Sequence, residues 1–163
     1  MRTGAAFVLF AFAGLEAQAQ TIRVRWDRDV DFSGYGSFAW MDGTLAEDPE
    51  AHEAIVQEIE NELARNGIFP QPADPDLYVY YHASSREEFQ IRGGYRSDWE
   101  DAGTLTVNSY VAGTLVVDLV DAIENRVVWR GTASATVSGN PRKNGARIRT
   151  VVQKMFAGFP QKP

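Results

Sequence analysis

YVAGTLVVDLVDAIENRVVWRGTASATVS, residues 110–138, reads as two long strands joined by a tight turn. In its first half Leu115, Val117 and Leu119 alternate with Val116, Asp118 and Val120. In its second half Val127, Trp129, Gly131, Ala133 and Ala135 alternate with Val128, Arg130, Thr132 and Ser134. A period of two is that of a β-strand, whose successive side chains point to opposite faces. The connection Asp121–Arg126 places an Asp at its start and Asn125 where a left-handed backbone is expected, since Asn tolerates positive φ better than other non-glycine residues. One face of the hairpin, with Leu115, Val117, Leu119 and Trp129, suits a core. The other is wetter, and there Asp118 is expected to face Arg130 across the strands.

Upstream, Thr21–Trp26 alternates Ile22, Val24 and Trp26 with Arg23 and Arg25 and reads as a strand. Tyr35–Met41 reads as a short second strand that puts Phe38 and Trp40 on one side. A helix is predicted over 49–66, with Asp48 as N-cap, Pro49 at the first position and Ile55, Ile59 and Leu63 as an apolar stripe. Asn66-Gly67 suits a left-handed C-cap, after which Ile68 and Phe69 fold back on the last turn. Residues 70–75 (PQPADP) form a bridge to a third strand, Asp76–Ala83, and a strand–helix–strand order of this kind favours a right-handed crossover if both strands share a sheet in parallel.

Residues 84–103 (SSREEFQIRGGYRSDWEDAG) mix both charges with Gly93-Gly94 and three aromatics, so they read as a long loop or an extended hairpin excursion. Gly139–Gly145 reads as a turn. A second helix, placed at 142–158, carries Ile148, Val151, Val152, Met155, Phe156 and Phe159 as a single stripe. The expected fold is α+β: a mainly antiparallel sheet of four to five strands with two helices packed on one face.

Residues 1–19 stand apart. Arg2, the apolar run Ala5–Leu15 and the small residues Ala17 and Ala19 before Gln20 form the pattern of a signal peptide. The run is too short for the roughly 20 apolar residues that cross a bilayer, so no transmembrane span is expected after cleavage. Residues 20–163 are expected to form one domain, secreted or periplasmic. The full chain carries 16 Lys+Arg against 22 Asp+Glu, a net charge of −6, and the excess is diffuse. Nucleic acid is therefore not the expected partner, because phosphate binding depends on clustered Lys and Arg. The absence of cysteine excludes disulfides, thiolate metal sites, cysteine nucleophiles and lipid attachment through an N-terminal cysteine.

No catalytic signature stands out. Asp27, Asp29 and Asp31 alternate, but counted as an EF-hand from Asp27 the required glycine and glutamate positions hold Phe32 and Phe38, so the three suit turn formation. His52 and His82 have no metal-ligand spacing, and neither a nucleophile elbow nor a phosphate loop occurs. No metal, cofactor or catalytic residue is expected. The basic group Arg142, Lys143, Arg147, Arg149 and Lys154 reads first as the solvated face opposite the stripe. Its alternative is peripheral contact with anionic lipid headgroups or an acidic partner.

DVDFSGYGSFAW (29–40), LARNGIFPQPADPDLYVY (63–80), GTLVVDLVD (113–121), VWRGT (128–132) and VVQKMFAGFP (151–160), in that order, resemble the bacterial envelope family of domains of unknown function 4136. The resemblance implies an exported, often lipoprotein-like α+β domain without an assigned activity. The missing cysteine departs from the lipoprotein pattern. The expected role is a non-enzymatic module that binds an envelope protein or an amphiphilic ligand through the open sheet face, an edge strand or residues 84–103. Phe89, Tyr95 and Trp99 are its expected anchors, since large amphipathic rings dominate interface energetics. The alternative is an enzyme with a carboxylate site in a cleft beside 84–103.

Overall fold

The computed structural model describes residues 20–92 and 106–160. Six strands form one mixed sheet in the order β1-β6-β5-β4-β2-β3, with β1 at Thr21–Trp26, β2 at Ser37–Trp40, β3 at Phe69–Pro70, β4 at Leu77–Arg92, β5 at Thr106–Asp121 and β6 at Arg126–Val137. Helices α1 (Pro49–Arg65) and α2 (Pro141–Phe156) pack against one face.

The expectation of four to five mainly antiparallel strands is corrected by β2 and β3. Helix α1 connects β2 to β4, which run parallel with Phe38 beside Leu77. The chain leaving α1 then adds β3 in parallel outside β2, where the Phe69 amide donates to the Gly36 carbonyl (3.0 Å) and Gln71 to Phe38 (2.7 Å). A two-residue strand containing a proline offers no alternation to read.

The central hairpin pairs Leu115 with Ala133, Val117 with Gly131 and Leu119 with Trp129. Below that pair the register slips, so that Val120 faces Val127 and Val128 is an extra residue on β6. A bulge of this kind reverses the alternation. Val128 is buried and Val127 exposed, the reverse of the strict alternation expected for β6. Asn125 takes φ 51° in the turn, as expected. Asp118 and Arg130 face each other on the other side of the sheet as a two-toothed fork of 2.5 and 2.7 Å.

Helix α1 begins with the Asp48 carboxylate accepting from the Glu50 amide (3.2 Å) and ends at Gly67, φ 71°. There Gly67 and Ile68 return hydrogen bonds to Ala64 and Leu63, a Schellman ending that buries Ile68 completely. Phe69, expected beside it, is exposed on β3. Helix α2 starts earlier than a turn over 139–145 allows. Asn140 caps it with its side chain on the Arg142 amide, and Pro141 occupies the first position. Val151, Val152, Met155 and Phe156 meet Trp129 and the sheet, while Gln153 donates to the buried Glu58 of α1 (2.8 Å). Burial holds the Glu62 carboxyl above its usual range, against the pull of Arg65.

Candidate functional site

Both helices start at the same end of the sheet and run back along it. Beyond their first turns β4, β5 and β6 continue outward, and the strand residues facing the helices there are small. Ala83 and Ser85 of β4, Gly113 of β5, and Ala133 and Ala135 of β6 leave a shallow floor, with Leu115 at its inner edge. The result is a cleft of about 470 Å³, lined mostly by apolar atoms. That volume falls within the roughly 300–1,000 Å³ of small-molecule sites.

One wall is a strap, residues 41–48, that joins β2 to α1 along the free edge of β4. Its pins are specific. The Thr44 amide donates to His82 Nδ1 (3.1 Å), the Ala83 amide to the Thr44 carbonyl (2.8 Å), and the Ala46 amide to the Tyr81 hydroxyl (3.3 Å). The Tyr81 hydroxyl in turn meets His52 Nδ1 of α1. Burial raises the Tyr81 pKa. Both histidines of the chain thus hold the strap. Gly43 approaches β4 so closely that an added Cβ would lie 2.0 Å from the Tyr81 carbonyl oxygen. Leu45, 56% exposed, sits on this lip, and Ala51 and Ile55 of α1 continue the wall inward.

The opposite wall is α2, which presents Asn144, Arg147, Ile148 and Val151. Asn144 clamps the tight return from β6: its Oδ1 accepts from the Ser138 amide (2.8 Å) and its Nδ2 donates to the Ser138 carbonyl (2.7 Å). Arg147 Nη1 donates to the Thr136 carbonyl (2.5 Å). Arg147 therefore lines the cleft instead of lying on a solvated back face, while Arg142, Lys143 and Arg149 are exposed or partly exposed and Lys154 reaches Gln20 (3.3 Å).

Of the expected anchors, Phe89 is 66% exposed on β4. It shares the helix side of the sheet with Ser85 of the cleft floor, four residues further out, or roughly 13 Å along the strand. Exposed Glu87 of β4, half-exposed Val111 of β5 and exposed Val137 of β6, paired in one row, lie between. Tyr95 and Trp99 lie outside the described residues. Residues 84–92 form the outer half of β4, paired with 106–114 of β5. The open face, with Tyr78, Tyr80 and the Asp118–Arg130 fork, is on the other side of the sheet from the cleft.

A carboxylate site would need acids converging from different elements. In the cleft Glu47 and Asp48 are neighbours on one lip, and Asp48 is engaged as the N-cap of α1. Asp27 and Asp31 accept from the Asp29 and Ser33 amides (2.9 Å each) and serve the turns. Among the described residues no group of three or more His, Cys, Asp or Glu could hold a metal ion, and no helix is long and apolar enough to cross a membrane. Sequence reasoning missed the cleft. Its signal, small residues on three adjacent strands, appears only once the register is known.

The sequence profile described as Domain of unknown function (DUF4136) matches residues 22–161. No curated protein matches the sequence. Among solved structures, a PDZ domain protein from Parabacteroides distasonis is similar at TM-score 0.55 and 15% identity over 88% of this chain, which spans 37% of that longer one. The PelC dodecamer from Paraburkholderia phytofirmans is similar at TM-score 0.54 and 14% identity, covering 85% of this chain and 96% of PelC. A third is a neuraminyllactose-binding hemagglutinin homolog from Helicobacter pylori, at TM-score 0.50 and 10% identity over 79% of this chain and 88% of that one. At these identities the likeness is one of fold.

Proposed function

Since the chain belongs to the family Domain of unknown function (DUF4136), we propose its role from the geometry: an exported envelope module that binds the apolar chain of an amphiphile without transforming it. The observation that carries this is the cleft of about 470 Å³, floored mainly by alanine and glycine and walled by the 41–48 strap with α1 on one side and by α2 on the other. Apolar surface left open in this way gains roughly 25 cal/mol for each Å² that a ligand covers. Val111, Val137 and Phe89, with exposed Glu87 beside Val111 on β4, extend the floor outward along the hairpin and give a longer chain further apolar contact. The leader at residues 1–19 supplies the export, and the module then works in the periplasm or outside the cell.

The test is titration of residues 20–163 with an uncharged dye that fluoresces in apolar surroundings, such as N-phenyl-1-naphthylamine. Wild type binds with saturation. Ala135→Phe, which fills the floor, weakens binding tenfold or more, about 1.4 kcal/mol, with the thermal midpoint retained. Phe89→Ala, at the far end of the track, changes affinity about two- to threefold and stability by less than about 0.5 kcal/mol. Absence of saturable binding, or equal binding by Ala135→Phe, overturns the proposal.

A further inference from the structure

The two lips of the cleft carry opposite charges. On the strap side are Glu47 and Asp48, both exposed. On the α2 side is Arg147, with Lys143 one turn before it on the same side of the helix. Among the described residues no ion pair joins the lips. Asp48 accepts from the Glu50 amide, Arg147 spends one N–H on the Thr136 carbonyl, and among the described residues no hydrogen bond engages the Glu47 carboxylate. A guanidinium has five N–H donors, so most of Arg147 remains available to a ligand.

Resting on the cleft as the binding site, we propose that its occupant is a zwitterionic single-chain amphiphile, a lysophospholipid with a phosphate and an ammonium in its head. The acyl chain lies on the Ala83–Gly113–Ala135 floor. The phosphate meets Arg147, whose planar fork matches phosphate oxygens two at a time, with Lys143 adding like charge. The ammonium meets Glu47 and Asp48. A purely anionic head would satisfy Arg147 but face two carboxylates, a cationic head would do the reverse, and an uncharged head would use neither lip. Only a head with both charges is complementary to both sides at once.

Four amphiphiles of equal chain length, each kept below its micelle concentration, are used to displace the uncharged dye: lysophosphatidylethanolamine, lysophosphatidylglycerol, a monoacylglycerol and an alkyltrimethylammonium. The zwitterion is expected to displace at about tenfold lower concentration than the other three, as charge-assisted hydrogen bonds on both sides allow. Glu47→Gln, an exposed site, brings lysophosphatidylethanolamine to the level of lysophosphatidylglycerol. Arg147→Lys keeps the charge, loses the fork, and weakens both phospholipids more than the monoacylglycerol. The inference is overturned if lysophosphatidylglycerol or the alkyltrimethylammonium displaces as well as the zwitterion, or if Glu47→Gln leaves the order unchanged. If the dye itself does not bind wild type, it is the cleft that fails as a binding site. If the dye binds and all four displace it alike, the head-group inference alone fails.

Discussion

Asp76 ties the start of β2 to the start of β4 with one carboxylate oxygen, which accepts from the Gly36 amide (2.9 Å), the Ser37 amide (2.9 Å) and the Ser37 hydroxyl (2.8 Å). The Gly36 amide first, then the Ser37 side chain, hold its pKa below the ordinary aspartate value. A depressed carboxylate contributes stability that is fully present above its unfolded pKa, near 4, and is lost as pH falls through the folded value. Asp76→Asn is therefore expected to cost about 1 kcal/mol at pH 7, a figure reduced for the screening of a partly exposed group. Urea unfolding repeated from pH 5 down to 3 should show the variant losing less stability than wild type. Gly131 is a second such residue, for steric reasons. A Cβ there would meet the Trp129 ring at 2.6 Å and the Met155 sulfur at 2.9 Å, and both side chains are fully buried. Gly131→Ala should cost about 1–3 kcal/mol in chemical denaturation, as overpacking does.

The strap is the element on which the cleft's shape depends, and Gly43 is its closest point. Because backbone lies 2.0 Å from where a Cβ would stand, Gly43→Ala displaces the strap from β4. Hydrogen exchange at the Thr44 and Ala46 amides should accelerate at least about tenfold as their pins to His82 and Tyr81 loosen, and dye affinity should fall with it. Exchange unchanged at both amides would mean that the strap is held by something else. The elements themselves were largely legible in the sequence, because their signals are local: alternation for β5 and β6, Asp48-Pro49 and Gly67 for the ends of α1, and a single stripe for α2. What was not legible depends on pairing. β3 forms only because β2 is already in place, and three successive apolar residues, Val127, Val128 and Trp129, hide the bulge. Asn140-Pro141 opens α2 where the same residues suggest a turn. The cleft arises from Ala83, Gly113 and Ala135, which are unremarkable one by one and meet only through the register of three strands.

At the scale of the molecule the sheet has two unlike faces. One is covered by α1 and α2 down to the cleft at their amino ends. The other carries Tyr78, Tyr80 and the Asp118–Arg130 fork. At the same scale, the proposed export predicts that protein recovered from its native envelope begins at Gln20; a mass spectrum of the recovered protein that retains residues 1–19 would overturn it. Central to the account is that ligand enters on the helix side. Amide chemical shifts of ¹⁵N-labelled protein titrated with lysophosphatidylethanolamine test this directly. Shifts concentrated at 44–55, 83–85, 113–115, 133–137 and 144–151, with Tyr78, Tyr80 and Arg130 unmoved, are the predicted result. Shifts centred on Tyr78, Tyr80 and Arg130 would contradict it.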